Sequence, residues 1–296
     1  MPELPDVTVY VESIAERVLG TPLEAIRLAS PFVLRSVEPK VSDVVGHVVT
    51  RVHRIGKRIV LSLEGELFVV IHLMVAGRFQ WKARGEKIPG KVGLLALDFP
   101  SGSLILTEAS TKKRASLHLA RGLEALAAFD RGGLEPLGAS LADFRAALTR
   151  ERHTLKRALT DPRLFSGIGN AYSDEILHRA QLSPVRRSDQ LDDAQIERLY
   201  RATTSVLEEW TERLREDAKR GFPTKVTAFR PEMAVHGKYG APCPVCGTKV
   251  QRIVYAENES NYCPRCQTEG KLLADRSLSR LLKDNWPRTI EELEGR

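Results

Sequence analysis

The chain has 296 residues, of which 42% are hydrophobic, 28% charged and 6% aromatic, a balance that fits an ordinary globular protein and excludes disordered and collagen-like classes. At that length two or more domains are expected, each able to bury a core. Lysine plus arginine outnumber aspartate plus glutamate by 45 to 38, a net charge of +7 with a pI near 9.3, which favours a polyanionic partner such as nucleic acid or an acidic membrane surface.

The N-terminal Met-Pro-Glu-Leu-Pro-Asp has no basic region followed by an apolar core, so no secretory signal is expected and the cytoplasm is the default location. Asp6 reads as an N-cap, Val7, Val11, Ile14, Ala15 and Val18 recur at helical spacing, and Gly20 stands where such a helix stops. Short runs rich in Val, Ile and Leu follow, at Leu23 to Leu28, Val44 to Val52, Arg58 to Leu63, Leu67 to Val75, Val92 to Phe99 and Ser103 to Thr107. Separated by Gly, Pro or charged turns, they predict a β-sandwich or barrel. Lys82 to Lys91, with Gly85, Pro89 and Gly90, reads as a loop joining two of the strands. The longest apolar stretch, Leu67 to Ala76, is broken by His72 and is half the roughly 20 residues that span a bilayer, so no transmembrane helix is expected.

Phe129 to Ser140 is a turn-forming stretch and reads as an interdomain hinge. Leu141 to Arg220 has helical character: Phe144, Leu148, Leu155 and Leu159 predict helices interrupted near Arg152. Ile196, Leu199, Val206, Leu207, Trp210 and Leu214 predict one long amphipathic helix. Four cysteines come next, and beyond them Leu272, Leu273, Leu278, Leu281 and Leu282 recur at roughly helical spacing. The expected division is 1–130, 131–222, 223–267 and a tail over 268–296.

Four constellations carry candidate chemistry. Cys243-Pro-Val-Cys246 and Cys263-Pro-Arg-Cys266 form a C-x2-C-x16-C-x2-C array, the spacing of a zinc ribbon, in which two tight turns close a tetrahedron with no open position. One structural zinc ion is expected, with a hairpin between the pairs. Lys249, Arg252 and Arg265 of this region suit a phosphate backbone. At the N-terminus, removal of Met1 leaves Pro2 as a secondary amine beside Glu3. An α-amine with a reference pKa near 8 is partly neutral at cellular pH and can form an iminium, an electron sink for elimination at the next carbon, with Glu3 moving protons. Many proteins begin Met-Pro with no such role. The Gly-rich turn Phe165 to Asn170 leads into a helix and offers a phosphate site in which Asn170 donates; alternatively Asn170 only caps that helix. Basic residues gather at Arg51, His53, Arg54, Lys57 and Arg58 and again at Lys112, Lys113 and Arg114, as a phosphate-binding surface or a solvated face. Met74 reads either as core or as an apolar wedge between bases.

Together these residues resemble the formamidopyrimidine-DNA glycosylase and endonuclease VIII family. The resemblance rests on Pro2-Glu3-Leu4-Pro5, Gly56-Lys57-Arg58, His72-Leu73-Met74, Gly167 to Tyr172 with Asp174-Glu175, and the terminal cysteine array, in that order along most of the chain. It implies an α+β protein: a β-sandwich with an N-terminal helix, a helix-two-turns-helix domain and a zinc-finger hairpin, with damaged double-stranded DNA bound in the cleft between lobes by a monomer. By that resemblance Pro2 attacks C1′ of the damaged nucleotide, Glu3 donates a proton, Lys57 contacts phosphate and Asn170 holds a phosphate next to the lesion. Base excision is then followed by β,δ-elimination, with the target base flipped out of the duplex. No catalytic metal or redox cofactor is implied.

The sequence departs from the family pattern at several positions. Asp6 stands where a glutamate is usual, and Asn258 stands where an arginine is usual on the zinc-finger hairpin, so a phosphate contact there is either lost or supplied by Arg252. Gly221 to Val235 is short for the loop that covers oxidised guanine, and Thr107 to Ser116 offers Lys112, Lys113 and Arg114 in place of an arginine-x-phenylalanine wedge. About thirty residues follow the last cysteine. Alternative readings are the same chemistry on oxidised pyrimidines, bulky adducts or crosslinks, and a zinc-ribbon DNA-binding protein without turnover.

Overall fold

Two prolines and two acids set the first turn of the chain. In the computed structural model, which describes residues 1–224, 229–255, 258–273 and 287–294, helix α1 spans Leu4–Val18 with Glu3, not Asp6, at its N-cap. Pro5 is tolerated because the first helical N–H groups have no partner within the helix, so the helix begins earlier than the apolar periodicity indicates. Asp6 serves the cap from inside: its Oδ2 accepts the Glu3 N–H at 2.9 Å.

The chain divides into two compact units, one of residues 1–131 with 209–227, the other of residues 132–208 with 228–296. The first holds two four-stranded antiparallel sheets. One orders β1 (Ala25–Leu28), β6 (Gly93–Phe99), β7 (Gly102–Glu108) and β5 (Gly77–Lys82); the other orders β2 (Val49–Ile55), β3 (Arg58–Leu63), β4 (Leu67–His72) and β8 (Ser116–Arg121). Ile59, Leu61, Val69, Ile71, Leu117, Leu97 and Leu106 share one core with Val7, Tyr10, Ile14 and Val18 of α1. The alternating residues Val60, Phe68 and Val70 form a second cluster with Leu126 of α3 (Leu123–Ala127). That period-two division between two apolar clusters explains why β3 and β4 read as continuous hydrophobic runs.

The segment predicted as a strand from Val44 to Val52 is divided. A short helix, α2 (Val41–Val44), precedes β2, and Asp43 Oδ2 accepts the Lys40 N–H at 2.9 Å, which favours a helical turn. Residues 209–224 join this unit through Phe222, which lies 5.9 Å from the Tyr10 ring and 6.3 Å from Trp81, and through Arg215, whose guanidinium grips Glu12 at 2.7 and 3.0 Å.

In the second unit, Ser140 and Thr154 cap α4 (Leu141–Thr149) and α5 (Leu155–Thr160), each side-chain oxygen accepting an N–H three residues on. Phe144 packs on Phe165 and Tyr200. Helix α6 (Asn170–Arg179) and the first part of α7 (Asp193–Ala218) complete the helical portion. The ribbon follows with β9 (Gln251–Tyr255) paired antiparallel to β10 (Asn258–Tyr262), then α8 (Pro264–Thr268) and α9 (Ile290–Glu294). Most of the leucines that predict a helical tail fall in 274–286, outside the described residues.

Candidate functional site

In the first unit, chemistry gathers at the start of α1, at the tip of the β2–β3 hairpin and in the turn by which β4 of one sheet leads to β5 of the other. Pro2 and Glu3 are buried. Lys57 occupies a two-residue turn, since Ile55 pairs with Arg58 across it. Gly56 takes φ +58 there, the left-handed conformation that a tight hairpin turn of this length requires. The α-amine of Met1, one residue before Pro2, feels the charges of Glu3, Arg78, Asp6 and Lys57. Burial pushes that amine below its ordinary value, Glu3 and Asp6 oppose the shift, and Arg78 and Lys57 reinforce it. Such an amine is more often neutral, and so nucleophilic, at neutral pH.

Met74 lies beyond the end of β4 in the turn that leads to β5, not within a strand. Its backbone is left-handed at φ +53, and its Sδ sits 2.6 Å from His72 Nδ1. A thioether has no proton, so the imidazole donates. Burial, with the cations Arg58 and Lys57 nearby, pushes His72 down to about 4, so it is neutral at pH 7. The turn is closed by the Gly77 N–H donating to the Leu73 carbonyl at 2.9 Å. A Cβ on Gly77 would lie 2.3 Å from that oxygen, so only glycine fits. Arg78 straps the same turn, donating to the carbonyls of Val75 at 3.2 Å and Gly77 at 2.7 Å. Val75 is left 55% exposed at its tip.

Lys112, Lys113 and Arg114 are exposed in the loop between β7 and β8. The buried Glu108 holds that loop: its Oε2 accepts the N–H groups of Arg114 at 2.8 Å and Ala115 at 3.0 Å, and its carbonyl takes Lys113 Nζ.

In the second unit, Gly169 is the N-cap of α6 and Asn170 its first helical residue, so Asn170 is not the cap. Its Nδ2 donates to the Glu259 carbonyl of β10 at 2.7 Å. Arg252 meets the same residue, its Nη1 lying 3.1 Å from Glu259 Oε2, and its guanidinium covers the Tyr239 ring at 4.3 Å. Asn170 and Arg252 thus converge on one point of the hairpin. The side chain of Asn258 lies outside the described residues.

Two adjacent carboxylates of α6 hold the approach to the ribbon. Glu175 accepts the N–H groups of Ala234, Val235 and His236 at 2.8 to 2.9 Å. Asp174 accepts from Lys156 Nζ at 2.5 Å, His236 Nδ1 at 2.7 Å and Ser260 Oγ at 3.1 Å. Buried carboxylates satisfied to this degree fix geometry.

The sulfur atoms of Cys243, Cys246, Cys263 and Cys266 all lie within 4.8 Å of one another, with Cys243 to Cys266 at 3.9 Å and Cys246 to Cys263 at 3.4 Å. A tetrahedron with Zn–S bonds of about 2.3 Å has edges of about 3.8 Å, so the donor set fits one zinc ion with no position left for water.

Sequence reasoning missed Arg78, Glu108, Lys156 and His236. Arg78 had a signal in its position just after the His72-Leu73-Met74 motif; the other three are brought to their partners only by tertiary folding.

Comparison with known proteins follows this geometry. Three family models match in chain order: the formamidopyrimidine-DNA glycosylase N-terminal domain over residues 1–121, the H2TH domain of that glycosylase over 133–218, and a zinc finger found in FPG and IleRS over 240–268. A formamidopyrimidine-DNA glycosylase of Heliobacterium modesticaldum is 32% identical over 287 residues, covering 90% of this chain and 100% of the relative. One of Thermus thermophilus is 33% identical over 277 residues, covering 91% and 100%. An uncharacterised glycosylase-like protein of Mycobacterium tuberculosis is 41% identical over 151 residues, which are 51% of this chain and 94% of that one. Among solved structures, a Lactococcus lactis Fpg bound to DNA containing an abasic site superposes with a TM-score of 0.79 at 24% identity, covering 90% of this chain and 99% of that one.

Proposed function

The chain belongs to the formamidopyrimidine-DNA glycosylase family, and from that premise we propose that this DNA repair glycosylase is bifunctional, excising damaged bases through an imine on Pro2 and then cleaving the strand at the abasic site. The observation that carries the proposal is the burial of Pro2 and Glu3 together at the start of α1, next to a Met1 amine that feels the charges of Glu3, Arg78, Asp6 and Lys57. A neutral amine beside a carboxylate and two cations is the set that imine chemistry on a phosphodiester chain requires.

In this reading Met1 is removed, the Pro2 nitrogen attacks C1′ as the bond to the base breaks and its proton passes to the departing base, and Glu3 delivers a proton to O4′ as the C1′–O4′ bond opens to leave an iminium. The resulting iminium draws electrons from C2′, loss of a C2′ proton expels the 3′ phosphate, and a second elimination expels the 5′ phosphate. Lys57 and Arg78 offset phosphate charge near the amine, and Asn170, Arg252 and the loop of Lys112, Lys113 and Arg114 bind the backbone. Cys243, Cys246, Cys263 and Cys266 hold one zinc ion, which supplies folding energy to the ribbon. Among the described residues no helix is long and apolar enough to cross a membrane, and we place the enzyme in the bacterial cytoplasm, acting as a monomer on damaged duplex DNA. Oxidised bases are the favoured substrates.

The test is borohydride trapping on a duplex with one abasic site, with the adduct located by mass spectrometry. An adduct on Pro2 is expected. Tight binding without an adduct would instead favour a DNA-binding protein without turnover. Duplexes carrying single oxidised purines, oxidised pyrimidines, bulky adducts or crosslinks then identify the lesion.

The turn over residues 74–76 is the proposed wedge, with Met74 backed by His72 and Val75 at the exposed tip. Unstacking a base step costs a few kcal/mol, so losing part of the wedge is expected to slow excision from duplex DNA by about tenfold. Met74→Ala and Val75→Ala should each have this effect while leaving trapping on a single-stranded abasic oligonucleotide unchanged. Equal losses on both substrates would remove the wedge role.

A further inference from the structure

Helix α6 touches the cysteine ribbon at both ends. At its first residue Asn170 donates to the Glu259 carbonyl. Eight residues on, an axial rise of about 12 Å, the buried His178 places Nε2 at 3.3 Å from the Sγ of Cys243. Gln267 ties the ribbon to the chain just past the helix, its Nε2 donating to the Leu182 carbonyl at 2.9 Å and its Oε1 accepting the Cys263 N–H at 2.8 Å.

A metal-bound thiolate carries no proton, so a hydrogen bond between His178 and Cys243 has one possible direction, from Nε2–H to sulfur. Four thiolates around one divalent ion leave an excess of negative charge, and Cys243 and Cys263 are buried. Buried charge of this kind is costly unless donors surround it. The backbone supplies one such donor, the Cys266 N–H, which points at Cys263 Sγ.

We propose that His178 is a positioning residue of the zinc centre: its Nε2–H donates to the Cys243 thiolate, strengthening metal binding and fixing the ribbon to the helix that carries Asn170. The inference rests on the four cysteines holding zinc, and it assigns to α6 a task that neither the cysteine array nor the Gly-rich turn specifies. Groups that orient metal ligands in this way change affinity by about 10- to 100-fold when removed.

The test compares wild type, His178→Phe, which keeps a ring without a donor, and His178→Gln, which keeps an N–H. Zinc affinity is measured by competition with a chromophoric chelator, and the cobalt-substituted proteins are compared by their thiolate-to-cobalt charge-transfer bands. H178F is expected to bind zinc about 10- to 100-fold more weakly with a shifted band, and H178Q to recover much of both. In wild-type protein loaded with cadmium-113 and carrying nitrogen-15 histidine, Nε2 is expected to be protonated and coupled to the metal, a measurement that needs no variant to fold. An unprotonated Nε2, or wild-type affinity and an unmoved band in H178F, would overturn the proposal. Wild-type protein that takes up no zinc would overturn the zinc reading and this one with it.

Discussion

Acetylating the N-terminal amine is expected to lower borohydride trapping by at least about 10³-fold, because a nucleophile that forms the covalent bond cannot be replaced by binding contacts alone. Pro2→Gly, which leaves a primary amine, is expected to weaken trapping without removing it. The environment of the amine makes a sharper claim. With Met1 in place, burial disfavours the charged form of the α-amine, Glu3 partly restores that form, and Arg78 and Lys57 repel it. When Met1 is removed the buried Pro2 takes the terminus among the same charges, so the trapping rate should rise with pH through a midpoint below the ordinary α-amine value of about 8.

Arg78→Ala removes one repelling cation and should move that midpoint up, whereas Arg78→Lys keeps the charge and should leave it nearly in place. The pair separates electrostatics from structure, since both variants change the strap that Arg78 makes to the carbonyls of Val75 and Gly77. Glu3→Gln should move the midpoint further down while slowing excision, as the carboxylate is the counter-charge and its acid form the proton donor. An unmoved midpoint in R78A would show that the guanidinium does not tune the nucleophile.

What the sequence exposed and what it concealed follow from how local each interaction is. Strand β3 was legible to the residue because its apolar run is bounded by turn residues, and the α7 helix because its buried residues recur over many turns. Strand β5 was not, since Arg78, Gln80 and Lys82 alternate with Gly77, Phe79 and Trp81, too few apolar positions to stand out. Strand β8, with Leu117, Leu119 and Ala120 among polar neighbours, was hidden in the same way. At the sites, the cysteine array and the Gly56-Lys57 turn are encoded within a few residues. Glu108 looks like any strand-end acid until its carboxylate is seen holding the N–H groups of Arg114 and Ala115. The partner of Asn170 lies 89 residues away in sequence, beyond the reach of any local pattern.

Removing the zinc is expected to unfold the ribbon and to weaken DNA binding by on the order of 10²-fold, while unit one stays folded. The buried cluster of the ribbon consists of Val235, Cys243, Val250 and Cys263, so two of its four members are metal ligands. A two-stranded hairpin is marginal without further support, and structural zinc supplies roughly 10 to 16 kcal/mol in small domains. Without it, hydrogen exchange should rise at the amides of Cys243 and Val250, which pair with the carbonyls of Thr248 and Ala241. Strands β9 and β10 should lose Arg252 and Glu259 as fixed points. The core of Val7, Tyr10, Leu61, Val69 and Leu97 contains no cysteine, so its amides should stay protected. Because Pro2, Glu3 and Lys57 lie in that same unit, trapping at saturating DNA should keep its rate, and the loss should appear in affinity and be restored by added zinc. Undiminished DNA affinity in protein verified to be metal-free would mean that the ribbon plays no part in holding the duplex, and an equal fall in the saturating rate would mean that the metal supports the chemistry itself.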